Sequence, residues 1–440
     1  MTKEKKIKAQ KLKGFQDFEP LLMKKKLEFL HLAQNLSALA GYEPIDTPSL
    51  EYTETILGEG GETDKQVFRF KDNGDRDVAL RFDLTMSFAR YISENQGTLI
   101  FPFKRFQYGK AWRAEKPQKG RFREFTQCDL DIIGAAPYSG EIDLISTFMN
   151  ILDQILKEDF TVFVNHRRLI SSLIKKTFQG ISESDEQTIL INLDKLDKIG
   201  SESVIRLLSD KFSFDTSSSR TLVDLIVNSK EDNLKAVADY LKGHETGIKD
   251  LEDLKETVRI IENSCLSKFG KIKIDLSTVR GLGYYTGMIF ETTIDHHQDF
   301  GAICSGGRYD NLAERFLSRQ LSGVGGSIGI DRILAAKVER LNNHETPSTD
   351  AVFIAVAEEK TRPYAFKILE HLRKHKIIAN IDLKHQKLAQ QFKWANRAGY
   401  KKVITIGESE RQTGLLNVKY METGQQKKDI AIADLVNELL

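Results

Sequence analysis

The sequence has few cysteines, and they lie far apart. Cys128, Cys265 and Cys304 are the three cysteines in 440 residues, and no C-x-x-C pattern occurs. Neither a disulfide framework nor a zinc site is indicated by this spacing. The pattern suits a reducing compartment, which predicts a cytoplasmic location.

Long hydrophobic runs are also lacking. No stretch approaches 18 consecutive apolar residues, so no membrane span is predicted. The lysine-rich start, MTKEKKIKAQKLKG, is not followed by an apolar segment, so we do not expect a secretory signal. Such a charge run is usually a solvated arm, and a nucleic-acid contact is the alternative.

The chain carries almost no net charge. Its 65 basic and 63 acidic residues leave a formal charge of +2, so a nucleic-acid partner would have to be bound by local basic surface. With 40% hydrophobic and 29% charged residues the composition is that of a globular protein, long enough for two or three domains.

Two familiar nucleotide-binding loops are absent. No G-x-x-x-x-G-K-[ST] sequence occurs, and GVGGSIG at residues 323–329 has Ile328 where G-x-G-x-x-G requires its third glycine. Any nucleotide site must therefore be built in another way.

The first half of the chain predicts an antiparallel α+β domain. Leu27, Leu30, Leu36 and Leu39 give residues 21–39 the spacing of an amphipathic helix, and 42–48 is expected to be extended at a sheet edge. Further strands are expected at 67–70 and 78–82, which form a hairpin, and at 101–114 and 121–133.

The rest of the chain indicates a helical insertion and a second domain. Residues 167–270 have helical patterning; strand signals return at 271–276, 284–294 and 302–305, and a helix begins near Asp331. We predict a first domain at 1–340, a linker at 341–349 and, at 350–440, a three-layer α/β domain with mainly parallel strands.

The most informative segment is RFREFTQCDLD at residues 121–131. If it is one strand, its alternate side chains share a face that runs from cations to carboxylates: Arg121, Arg123, Phe125, Gln127, Asp129 and Asp131. A solvated face is the plain alternative. The polarised row, with Arg113 delivered beside it, better suits a ligand with phosphates at one end and a protonated group at the other.

Several motifs together resemble the histidine-specific class II aminoacyl-tRNA synthetases. WRAE and RFREFTQCDLDIIG are similar to the second class II motif, GYEPIDTPSLE to the first and GSIGIDRI to the third. LRFDLT, VRGLGYYTGMIFE and SGGRYDNL resemble motifs of the histidine enzymes. The resemblance runs in family order from residue 12 onwards. It implies a class II antiparallel catalytic domain with a helical insertion and a C-terminal anticodon-binding domain.

The resemblance implies a site for ATP and a site for histidine. At the ATP end, Arg113 would hold the α-phosphate, Arg121 and Arg332 the outer phosphates and Phe125 the adenine, while Glu115 would contact adenine or help hold Mg²⁺. The residues implied for histidine are Asp83, Thr85 and Gln127 at the α-amine, Asp131, Tyr284 and Tyr285 at the imidazole, and Arg113 and Arg280 at the carboxylate. Arg280 and Arg113 are the implied catalytic residues, and no metal ligand on the protein is assigned.

The resemblance also implies macromolecular partners. The loop with Lys116, Gln118 and Lys119 would contact the acceptor end of histidine tRNA, the C-terminal domain would bind its anticodon, and the chain would form a homodimer.

Two positions depart from the family pattern. Gly283 stands where aspartate is common and cannot supply a carboxylate, and Asp331 stands where glutamate is usual. We expect the shorter Asp331 to need a water to reach its partner.

Other functions share parts of this pattern. A regulatory paralogue in histidine biosynthesis typically lacks the anticodon domain and erodes the second motif, and a tRNA-sensing relative is fused to a kinase. Other class II synthetases would lack the motifs at Arg280 and Arg308.

Overall fold

The computed structural model describes residues 7–57, 62–117, 120–212, 215–229, 234–279, 285–311, 316, 321–341 and 349–439. It divides into two compact units, Met1–Val338 and Glu339–Leu440. None of the described helices is both long enough and apolar enough to cross a membrane.

The first unit contains an eight-stranded sheet and a three-stranded sheet. Their strands are β1 (Glu43–Pro44), β2 (Leu50–Tyr52), β3 (Arg69–Lys71), β4 (Asp77–Leu80), β5 (Phe103–Trp112), β6 (Glu124–Ile133), β7 (Phe160–His166), β8 (Gly270–Ile274), β9 (Met288–Ile294), β10 (Cys304–Arg308) and β11 (Gly323–Gly329). The large sheet has the order β1-β5-β6-β11-β10-β9-β7-β8. Its interior is antiparallel and its two edge pairs, β1 with β5 and β7 with β8, are parallel. The small sheet, β2-β4-β3, contains the predicted hairpin.

Helices cover this sheet and form a separate group between β7 and β8. They are α1 (Pro20–Leu39), α2 (Thr53–Ile56), α3 (Thr85–Asn95), α4 (Ser139–Leu156), α5 (Arg167–Thr177), α6 (Glu183–Leu193), α7 (Leu196–Ile199), α8 (Ser201–Phe212), α9 (Thr216–Val227), α10 (Leu234–Tyr240), α11 (Glu245–Ser264) and α12 (Ile330–Leu341). Helices α5–α11 occupy the segment for which the sequence predicts an insertion.

The helix α1 has the predicted length, and the leucine spacing identifies its buried face in part. Leu30 is buried and Leu36 packs against the core, whereas Leu27 is 41% exposed and Leu39 is 85% exposed. Lys26 is also buried, in an ion pair that is described below.

Two strands of the large sheet are absent from the sequence prediction. β7 ends at the boundary of the helical group, and β11 is the glycine-rich segment 323–329. Glycine is depleted in strands because it has no side chain to pack, so a four-glycine strand is hard to recognise.

The second unit is a three-layer α/β domain. Its elements are β12 (Thr349–Val356), α13 (Arg362–Lys374), β13 (Ala379–Ile381), α14 (Leu388–Arg397), β14 (Tyr400–Ile406), α15 (Glu408–Thr413), β15 (Leu415–Tyr420), β16 (Gln426–Ala431) and α16 (Ile432–Leu439). α13 and α16 pack on one face of the sheet and α14 packs on the other.

The C-terminal sheet is mixed, with the order β13-β12-β14-β15-β16. The three strands read from the sequence are parallel, as predicted, but β15 and β16 add an antiparallel hairpin. The prediction missed it because a short polar turn at Gly424 (φ +71°) reverses the chain without a helix.

Candidate active site

A cavity of about 150 Å³ lies beside the start of β6. Six residues that the sequence assigned to a ligand site line it: Arg113, Glu115, Arg121, Phe125, Gln127 and Arg332. Strands β6, β10 and β11 and the start of α12 supply the remaining walls, so side chains far apart in sequence meet at one end of three central strands of the large sheet.

Arg113 is held between two aromatic rings. Its guanidinium carbon lies 4.2 Å from the centre of the Phe82 ring and 5.1 Å from that of Phe125, and its Nε donates to the Phe82 carbonyl (3.3 Å). Stacking fixes the plane of a guanidinium without neutralising it. The cation is therefore oriented and still available to an anion in the cavity.

The arginines at the start of the predicted strand do not lie on it. β6 begins at Glu124, so the prediction that Arg121 and Arg123 share its face is wrong. The Arg123 backbone N–H donates to the Gly14 carbonyl, and its Nε donates to the Glu115 carbonyl (3.0 Å), which braces the preceding loop. Arg121 reaches the cavity from the turn.

From Phe125 onwards, side chains alternate as a strand requires. Cys128 and Leu130 are buried in the core that includes α4, while Gln127, Asp129 and Asp131 point to the other face. Gln127 Nε2 donates to the Ser327 hydroxyl (3.1 Å), and Gln127 Oε1 is buried with no hydrogen-bond partner among the described residues.

Asp129 and Asp131 share one buried arginine. Arg105 Nε lies 2.8 Å from Asp131 Oδ2, and its Nη2 lies 3.5 Å from Asp129 Oδ2. The Tyr309 hydroxyl donates to the other oxygen of Asp131. Both carboxylates are only 2% exposed and Arg105 is completely buried. None of the three lines the cavity, but the two acids follow Gln127 along the same face of β6.

Glycines in β11 make room for this charged group. Gly325 is the register partner of Asp131, and a Cβ at Gly325 would lie 1.9 Å from Asp131 Oδ1. A Cβ at Gly306 in β10 would lie 2.2 Å from the Gly325 carbonyl oxygen. Any side chain at these two glycines would collide with the carboxylate or with the neighbouring strand.

Burial determines the electrostatics of the two acids. It raises the pKa of Asp129 to about 7, with Arg105 acting in the opposite direction and Asp131 adding to the rise. Burial likewise raises the pKa of Asp131 against the influence of Arg105. The nearby Asp83 raises both pKa values further. This end of the site is therefore short of positive charge.

Asp83 lies just before the helix α3, which begins at Thr85. Its Oδ1 accepts from the backbone N–H groups of Thr85 (3.0 Å) and Met86 (3.1 Å), as a capping aspartate does. The cap fixes the LRFDLT turn next to the buried acids, although Asp83 and Thr85 do not line the cavity itself.

The remaining predicted residues are distributed as follows. Tyr285 packs close to Gly307 and Tyr309, and Lys116 is exposed on its loop. Arg280, Gly283, Tyr284, Gln118 and Lys119 lie outside the described residues.

Asp331 reaches its partners directly, which corrects the expectation of a bridging water. Its Oδ1 accepts from Lys26 Nζ (2.6 Å) and its Oδ2 from the Thr126 backbone N–H (2.7 Å). Because Thr126 is in β6 and Asp331 precedes Arg332 on α12, the shorter acid ties the two sides of the cavity together. Burial lowers the pKa of Lys26, and Asp331 opposes that change.

Sequence reasoning missed four residues that build this site: Lys26, Arg105, Tyr309 and Ser327. No local sequence pattern marked Arg105 or Lys26 as site residues, because lysine and arginine side chains are normally exposed. The register of β5 against β6, which pairs Arg105 with Asp131, would have found Arg105. Among the described residues, no group of three or more His, Cys, Asp or Glu is arranged to hold a metal ion.

The chain is similar to known proteins over its whole length. The family model described as Histidyl-tRNA synthetase matches residues 14–333, and the model described as Anticodon binding domain matches residues 350–440. A histidine–tRNA ligase of Helicobacter pylori is 37% identical over 424 residues, covering 94% of each chain. One from Wolinella succinogenes is 36% identical over 446 residues and covers all of both chains.

Solved structures have the same fold. Histidyl-tRNA synthetase from Nostoc sp. PCC 7120 superimposes with a TM-score of 0.84 at 27% identity, covering 99% of each chain. A Bacillus halodurans protein titled as an ATP phosphoribosyltransferase regulatory subunit/histidyl-tRNA synthetase gives 0.75 at 23% identity, covering 91% of this chain and 99% of that one. The second likeness concerns the fold alone. On the family match and the full-length relatives, the chain belongs to the histidyl-tRNA synthetase family.

Proposed function

We propose that this protein activates L-histidine with ATP and transfers it to the 3′ end of histidine tRNA, releasing pyrophosphate and then AMP. Membership of the family over the whole chain supports this ligase activity. The observation that carries it is a polarised arrangement: arginines line the cavity, and buried carboxylates lie farther along the same face of β6.

The arginine end suits ATP. A histidine carboxylate oxygen attacks the α-phosphorus, and the bond to pyrophosphate breaks. Arg113, oriented by its two rings, would stabilise the charge that builds on the α-phosphate. Arg121 and Arg332 would bind the departing phosphates, and Phe125 offers its ring to the adenine.

A magnesium ion fits this end of the site. Mg²⁺ is usually held by one or two carboxylates together with substrate phosphates, and Glu115 is a cavity-lining carboxylate. Asp331 is a poorer candidate, because both of its oxygens already contact Lys26 and Thr126. When bound, the ion would supply positive charge to the phosphates.

The carboxylate end suits histidine. Asp83, Thr85 and Gln127 would bind the α-amine, and the unpartnered Gln127 Oε1 is a suitable acceptor for an ammonium group. Asp131, Tyr284 and Tyr285 would read the imidazole ring, with Asp131 already oriented by Arg105 and Tyr309. A ligand without matching polar groups would leave these acceptors unpaired.

The partners follow from the same proposal. Residues 1–340 would form the catalytic domain with an insertion at 167–270, 341–349 the linker and 350–440 the anticodon-binding domain. Lys116, Gln118 and Lys119 would contact the acceptor end of the tRNA. The protein would act in the cytoplasm as a homodimer.

The decisive experiment is ATP–pyrophosphate exchange in the presence of each amino acid, followed by charging of histidine tRNA. We expect exchange with histidine and with no other amino acid. Arg280→Ala should lower the exchange rate about 100-fold or more, as loss of one transition-state donor does. Arg259→Ala is the control, because Arg259 is an exposed arginine on α11 paired with Glu256. Exchange with a different amino acid, or none, would overturn the proposal.

A further inference from the structure

Arg105 is a completely buried charge in the middle of the large sheet. Burying a guanidinium is strongly unfavourable unless its hydrogen-bonding groups and its charge are matched. Hydrophobic residues would stabilise a sheet interior more simply. The position of Arg105 therefore needs an explanation beyond folding.

The guanidinium is surrounded by groups that can match it. Nε and Nη2 are in ion-pair contact with Asp131 (2.8 Å) and Asp129 (3.5 Å), Nη1 donates to Gln107 Oε1 (2.8 Å), and the Phe88 ring centre lies 4.4 Å from the guanidinium carbon. Arg105 and the two carboxylates do not line the cavity, but the carboxylates follow Gln127, which does, along the same face of β6. Any effect of Arg105 on a ligand would therefore pass through the two carboxylates.

One arginine between two carboxylates leaves the group with a deficit of positive charge. The other charged or titratable described groups that interact with the pair are Arg81 and Asp83 from the segment before α3, Tyr42 after α1, Tyr309 after β10, Cys128 and Cys304. Asp129 Oδ1 is buried and has no hydrogen-bond partner among the described residues. A cationic ligand would complete this arrangement.

We propose that Arg105 is the positioning residue of the amino-acid end of the site. Its guanidinium fixes the orientation of Asp131 and Asp129, and thereby sets the affinity for a cationic amino acid without touching it. The inference rests on the proposed function, because it concerns the histidine end of that same site.

The test compares Arg105→Lys and Arg105→Gln in histidine-dependent ATP–pyrophosphate exchange. Lysine keeps the charge but cannot reach both carboxylates with a planar fork, so the KM for histidine should rise about tenfold or more while the KM for ATP changes less than about twofold. Arg90→Lys is the matched control. It also breaks a two-point pairing, with Glu51 (3.0 and 2.8 Å), but lies away from the two acids, so both KM values should stay unchanged.

A pH profile separates positioning from a merely structural role. Arg105 lowers the pKa values of Asp129 and Asp131, so removing its charge in Arg105→Gln leaves both acids protonated up to higher pH. The KM for histidine of that variant should then fall as the pH rises, at higher pH than any such change in the wild type, as the acids ionise. In Arg105→Lys, which keeps the charge, the pH dependence should resemble that of the wild type.

The outcomes are distinguishable. If wild type shows no histidine-dependent exchange, the proposed function fails. If wild type is active and Arg105→Lys keeps the wild-type KM for histidine, or raises both KM values equally, the positioning role is overturned. If Arg105→Gln does not fold, the double variant Arg105→Gln/Asp129→Asn, which removes one charge of each sign, is used for the pH profile. The KM values of Arg105→Lys then still decide whether Arg105 positions the acids.

Discussion

The two large sheets of this protein differ in what their central strands bury. In the C-terminal sheet, β12 buries only apolar side chains from Ala351 to Val356, with Val352 and Ile354 on one face and Phe353 on the other. In the N-terminal sheet, β5 and β6 bury Arg105, Asp129 and Asp131, together with the polar Gln107 and Thr126, beside the apolar core.

The difference separates stability from function. An apolar interior is the arrangement that folding alone favours, whereas buried charges cost free energy and are kept where a ligand site needs them. We therefore place the chemistry at the interior of the first sheet. The second domain presents a different feature at its surface, where Trp394 is 43% exposed beside the basic side chains of α14.

The strongest test of this contrast is to leave one charge of the first unit unpaired. Lys26→Met leaves the buried carboxylate of Asp331 without its cation and should lower the free energy of unfolding by about 3–5 kcal/mol. Urea denaturation can be followed through Trp112 in a Trp394→Phe background, since the chain has two tryptophans.

The neighbouring lysine provides the control. Lys25 pairs with Glu28 at the surface, so Lys25→Met should cost less than about 1 kcal/mol. Equal losses from Lys25→Met and Lys26→Met would contradict the importance assigned to the buried pair.

The apolar sheet should respond differently to damage. Ile354→Ala creates a cavity in a fully buried position and should destabilise the second unit by about 2–4 kcal/mol. Trp394 fluorescence in a Trp112→Phe background measures this, while ATP–pyrophosphate exchange should stay at the wild-type rate. Ile378→Ala, at a position that is 71% exposed, is the control. A parallel loss of exchange would show that the chemistry depends on the second unit.

The smallest expected effect is a pH dependence of stability. Burial raises the pKa of Asp129 to about 7, above that of an ordinary carboxyl group, so the folded protein binds a proton that the unfolded chain releases between about pH 4 and 7. Stability should therefore fall as the pH rises through this window. Asp129→Asn should remove at least about 1 kcal/mol of that fall, measured by urea denaturation at pH 5 and pH 8. Asp77→Asn, an exposed carboxylate on β4, should leave the slope as in wild type.

The sequence predicted the parts of the site that depend on local pattern. Alternation along β6 placed Gln127, Asp129 and Asp131 on one face, because successive side chains of a strand point in opposite directions. Motif order predicted that Arg113, Arg121 and Arg332 would meet, and all three line the cavity. The α+β fold class and the α/β C-terminal domain were also evident before the structure.

The residues that support those side chains could not be found in the same way. The prediction that Arg121 and Arg123 lie on β6 was wrong. The strand begins only at Glu124, because the Arg123 backbone N–H donates to the Gly14 carbonyl. The leucine pattern of α1 was correct for Leu30 and Leu36 but did not include Lys26, because a helical hydrophobic pattern cannot anticipate a buried cation whose partner is 305 residues away.

By itself, then, the sequence determined the family, the order of the elements and the chemical groups that face the ligand, since these depend on motifs and short-range periodicity. Only the tertiary structure decided how the charges are matched. Arg105 lies between Asp129 and Asp131 because β5 and β6 pair in one register, and Asp131 fits because Gly325 opposite it has no side chain. Such pairing depends on contacts between strands, which no local pattern encodes.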